Sequence, residues 1–138
     1  MRHLSLASRF IKTHSNKASG LNGNPQRNYS IKDINNDGIP EILEFSNSVE
    51  DEHPGLLNLE LNQAFEWITI FKLKDGKFID KTTYFDFFLS KRRTHYELWL
   101  KLIETSSHLS NDSKKLIEEN KTFFIKSILK LKKRTERI

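Results

Sequence analysis

The chain has 138 residues, enough for one domain with its own core and no covalent staple. It has no cysteine, which excludes disulfides, thiolate zinc sites and thiol catalysis, and its longest apolar runs, such as Phe87-Phe88-Leu89, fall far short of the roughly 20 residues a membrane-spanning helix needs. The net charge of +5 conceals a division, because residues 1–30 carry five basic groups and no acid, residues 31–66 carry nine acids against Lys32 alone, and residues 90–138 are basic by seven.

Leu4, Ala7 and Ile11 fall at helical spacing and predict a helix within residues 1–19. Ser5, Ser8 and Arg9 interrupt any apolar stretch of signal-peptide length there, so the leader of an exported protein would lie outside this sequence. Residues 20–28, rich in Gly and Asn, predict a loop. Tyr29 and Ile31 alternate with polar residues and predict a short strand entering an Asp/Asn-rich bend, and residues 41–46 predict the strand that leaves it.

Residues 47–55 are polar, end in Pro54-Gly55 and read as an exposed connection. Leu57, Leu59 and Leu61 alternate and predict a strand, as does the aromatic and branched run from Trp67 to Leu73. Asp75-Gly76 separates residues 68–74 from 77–84 and signals a tight hairpin, since both turn positions need φ > 0. Tyr96, Trp99, Leu102 and Ile103 share one face of a helix over residues 92–107. Ser110 to Ser113 offer N-caps for another, whose apolar face is Ile117, Phe124, Ile128 and Leu131. The expected fold is α+β in a single domain, with an N-terminal helix and loop (1–28), a small antiparallel sheet (29–89) and two amphipathic C-terminal helices packed against it (90–138).

Chemistry concentrates in Asp33-Ile34-Asn35-Asn36-Asp37-Gly38-Ile39-Pro40-Glu41. Ca²⁺ takes six to eight oxygens, and one short loop supplies most of them only when oxygen-bearing side chains alternate along it. Asp33, Asn35 and Asp37 alternate in that way, Gly38 permits a sharp turn, the Ile39 carbonyl is free to point inward, and Glu41 closes the set. Three carboxylates within nine residues also repel one another, and only Lys32 is a near neighbour in sequence. The bland reading is an Asx-rich turn whose side chains cap their own backbone.

From Asp33, Glu44 is the twelfth residue, so the run also fits the EF-hand expression D-x-[DN]-x-[DN]-G-x₅-E, although Pro25, Asn28, Tyr29 and Ser30 make a poor entering helix. The run D-x-N-x-D-G-x-P-E more closely resembles the calcium loop of FG-GAP or VCBS-type repeats, the blades of integrin-like β-propellers. That resemblance covers about residues 27–85. It implies a strand-flanked loop with Asp33, Asn35, Asp37, the Ile39 carbonyl and Glu41 as ligands, with Glu44 needed only in the EF-hand-like case. It also implies a blade-like sheet and a calcium ion that stiffens a scaffold. Propellers carry four to eight blades, and this chain has room for one at most.

The expected protein is thus a non-enzymatic calcium-binding module for protein interaction, with Ca²⁺ as its cofactor, secreted or periplasmic. The alternative is a cytosolic protein whose basic termini bind an anionic partner, nucleic acid or acidic protein. Lys91-Arg92-Arg93 and the basic run from Lys130 to Arg137 are explained as well by solvated helix ends, and the aromatics by core packing. The five histidines are scattered and no nucleophile or phosphate-loop motif is present.

Overall fold

A computed structural model describes residues 2–18 and 27–136. Four strands, β1 (Asn28–Lys32), β2 (Glu41–Asn47), β3 (Glu66–Lys74) and β4 (Lys77–Asp80), form one antiparallel sheet in chain order. Among the described residues five α-helices accompany it: α1 (Arg2–Ala18), α2 (Ser48–Glu52), α3 (Leu59–Asn62), α4 (Asp86–Thr105) and α5 (Asn111–Arg134). The fold class is α+β. Packing divides the chain into two units, Met1–Ser46 with Trp67–Thr82, and Asn47–Glu66 with Thr83–Ile138.

In the first unit the sheet carries the core. Ile42 and Ile70 are fully buried on β2 and β3, with Trp67 and Ile68 nearly so. The β3–β4 turn forms where expected, with Asp75 at φ 52° and Gly76 at φ 79°, the left-handed pair a two-residue hairpin demands. β4 is shorter than the expected run to Tyr84. It stops at Asp80, whose carboxylate accepts hydrogen bonds from the Thr82 backbone N–H at 3.0 Å and its hydroxyl at 2.7 Å and starts a 3-10 turn over Thr82–Tyr84. Helix α1 forms as expected and buries Ala7, and the Phe10 ring lies 4.8 Å from that of Phe71 and 5.6 Å from that of Phe78. Most of the expected loop, residues 20–26, lies outside the described residues.

The second unit is helical. The connection expected at 47–55 contains α2, started by Asn47, whose side chain accepts from the Glu50 N–H at 3.0 Å, and anchored by buried Val49. The strand expected from Leu57, Leu59 and Leu61 is instead α3. Asn58 caps it through the Leu61 N–H at 2.8 Å, and Leu59 is 90% exposed while Leu61 is 0% exposed. A strand would have put both on one face. Helix α4 starts at Asp86, earlier than the spacing of Tyr96, Trp99 and Ile103 suggested, and those three are buried together with Ile117, Phe124, Ile128 and Leu131 of α5. Ser110 is the N-cap of α5, accepting from the Ser113 N–H at 3.2 Å.

Candidate metal site

The ladder between β1 and β2 ends with Lys32 opposite Glu41, so the eight residues between them bulge from the end of a two-stranded ribbon. That register makes Asp33, the first residue past the strand, a neighbour of Glu41. Gly38 takes φ 85° and Asn36 φ 58°, which curls the segment back on itself. One carboxylate oxygen from each of Asp33, Asp37 and Glu41 then lies within 4.8 Å of the others.

The same carboxylates hold the loop. The two oxygens of Asp33 accept from the N–H groups of Asp37 at 3.2 Å and Gly38 at 2.9 Å. Asp37 Oδ1 accepts from the Ile39 N–H at 2.9 Å, and Glu41 Oε1 from the Ile34 N–H at 2.9 Å. The Asn35 amide, turned nitrogen-inward, donates to Asp33 Oδ1 at 3.1 Å and Asp37 Oδ1 at 3.0 Å. Turned oxygen-inward it would add a further oxygen to the ring, the orientation a cation would select.

Backbone capping does not complete the cluster. Glu41 is 0% exposed, and its Oε2 is buried with no hydrogen-bond partner. A buried carboxylate oxygen without a donor carries a large desolvation penalty. Burial pushes the Glu41 carboxyl above the ordinary glutamate range, and the charges of Asp37 and Asp33 push it further, against the Ile34 hydrogen bond and the charge of Lys72. Lys72, on β3, donates to Asp37 Oδ2 at 2.8 Å and stands 3.6 Å from Glu41 Oε2. Its hydrogen bond, with that of Ile39, holds the Asp37 carboxyl below the usual range. One ammonium offsets one of three negative charges.

Of the residues singled out in the sequence, Asp33, Asn35, Asp37 and Glu41 are thus brought together, and Ile39 contributes its N–H to the same turn. Glu44 is not among them. Three positions beyond Glu41 on a strand, it belongs to the opposite face. There its Oε2 accepts from the Tyr29 hydroxyl at 2.8 Å. Burial and that bond raise the Tyr29 hydroxyl pKa. Lys72 was missed, because its place beside the loop depends on strand pairing between residues far apart in sequence.

The basic groups read as solvated are partly absorbed by the fold. Arg92 donates to the Glu66 carbonyl at 2.6 Å and lies 5.1 Å over the Tyr96 ring, and Arg93 donates to the Thr135 carbonyl at 2.8 Å. Tyr84 and Phe87, by contrast with a core reading of the aromatics, are 68% and 75% exposed.

Fold and site together define an α+β protein with an all-oxygen acidic loop at the end of a strand pair. No protein-family model, curated protein or solved structure matches this chain.

Proposed function

We propose that the loop 33–41 binds one Ca²⁺ ion and that the ion stabilises a small module for protein interaction or scaffolding. The observation that carries this reading is Glu41, fully buried in a cluster with two further carboxylates, its Oε2 without a hydrogen-bond partner and with the Lys72 ammonium no nearer than 3.6 Å. The donor set suits a hard cation. Three carboxylates, the Asn35 amide oxygen and the Ile39 carbonyl are all oxygens, with no imidazole or thiolate to favour a transition metal. Ca²⁺ is preferred to Mg²⁺ because a flexible loop offering many protein oxygens fits its larger, less demanding coordination. The strands on either side support the repeat-type arrangement over the EF-hand, which has helices there. A single loop with modest affinity suits the millimolar calcium found outside cells, so a secreted or periplasmic setting follows from the same reading.

An ion that binds only the folded chain raises its stability by RT ln(1 + [L]/Kd). Excess CaCl₂ is expected to raise the melting temperature, EDTA to reverse the rise, and Asp37→Ala to abolish it. A melting temperature of the wild type unmoved by CaCl₂ sinks the reading.

A further inference from the structure

We propose that Lys72 is a built-in competitor of the cation, its ammonium holding the loop closed when no divalent ion is present and giving way when one enters, so that it sets the affinity of the site. This rests on the calcium reading above and adds the regulation of that same loop.

Lys72 Nζ sits 2.8 Å from Asp37 Oδ2 and 3.6 Å from Glu41 Oε2, on two carboxylates of the cluster. A calcium ion bound to those oxygens would lie about 2.3–2.6 Å from each. Ammonium and ion would then be at most about 5 Å apart, contending for the same lone pairs. With the Lys72 side chain 32% exposed, water screens the repulsion, and a single and a double charge at that distance in a water-like dielectric cost about tenfold in affinity. The stem of Lys72 is fixed on β3 opposite Ile79 of β4, so the ammonium can swing away only as far as four flexible carbons allow. Without an ion the contact serves stability, because it brings an ammonium to 3.6 Å from the unpartnered oxygen of Glu41. With an ion the same charge opposes binding. Its effect on stability should therefore change sign with calcium.

The test is calorimetric titration of the EDTA-stripped full chain with CaCl₂, wild type beside Lys72→Met and Lys72→Arg, with urea unfolding of each in EDTA and in excess CaCl₂. Lys72→Met is expected to bind about tenfold more tightly and Lys72→Arg close to wild type. In EDTA Lys72→Met should unfold at lower urea than wild type, and excess CaCl₂ should remove or invert that deficit. Binding by Lys72→Met alone overturns both, because the wild-type loop is then not a calcium site. Binding by wild type with no gain in Lys72→Met, or a deficit equal in both solutions, overturns the competitor role and leaves the calcium reading standing. No binding by any of the three overturns both. Lys72→Gln replaces Lys72→Met if the latter does not fold.

Discussion

Two glutamates of this protein sit at the centre of polar clusters and have opposite surroundings. Glu60, on α3, is met by donors: the Ser110 N–H at 3.1 Å, the Ser110 hydroxyl at 2.9 Å and the Ser113 hydroxyl, which also accepts from the Asn58 amide at 2.9 Å. Those bonds hold its carboxyl below the ordinary range. Glu41 is buried beside two other acids, and burial first, then their charges, pushes it above that range. A donor-rich cluster is finished by the chain itself, and its work is to join α3 to the start of α5. An acceptor-rich one is left electrostatically incomplete by the chain, and the proposed cation would complete it.

The sharpest way to break this comparison is to neutralise Glu41. In Glu41→Gln the cluster loses a ligand and a repelling charge together. The metal-free variant is expected to be at least as stable as metal-free wild type in urea, while the gain from calcium, about 2.7 kcal/mol for wild type at a hundredfold excess over Kd, disappears. A marked loss of stability without metal, as expected of an ordinary buried structural acid, would put Glu41 in the same class as Glu60. The helical cluster should behave the other way. Asn58→Ala removes the α3 cap and the bond to Ser113 and is expected to cost about 1 kcal/mol, equally with and without calcium. Unequal costs in the two solutions would contradict the separation of roles.

The smallest effect is one of pH. Because the folded chain holds the Glu60 carboxyl below its unfolded value, its stabilising contribution is complete above the ordinary glutamate pKa of about 4.3 and is lost as pH falls through the lower, folded value. Glu60→Gln should therefore show a shallower fall in stability with acid below that pH than wild type, measured by urea unfolding across the acid range. An identical slope would mean that the serine bonds do not favour the ionised carboxylate.

How far these features were legible in the sequence depended on the distance over which they are built. The loop closes within nine residues, so spacing alone named Asp33, Asn35, Asp37 and Glu41, and the Asp75-Gly76 turn declared itself for the same reason. Lys72 reaches Asp37 from 35 residues away, through strand pairing that no local pattern encodes. Leu57, Leu59 and Leu61 misled because three alternate apolar positions do not decide between a strand and a single turn of helix. The cap at Asn58 decided it, and its partner Ser113 lies 55 residues on. Arg92 and Arg93 read as solvated charges because their acceptors, the carbonyls of Glu66 and Thr135, are backbone atoms, which residue types do not reveal.

Buried Glu41 is proposed to face a cation site. Calorimetric titration of the metal-free protein with CaCl₂ tests it directly. The account predicts saturable binding of one ion per chain in wild type and none in Glu41→Gln. Absence of binding in wild type at millimolar CaCl₂, or undiminished binding in Glu41→Gln, would contradict it.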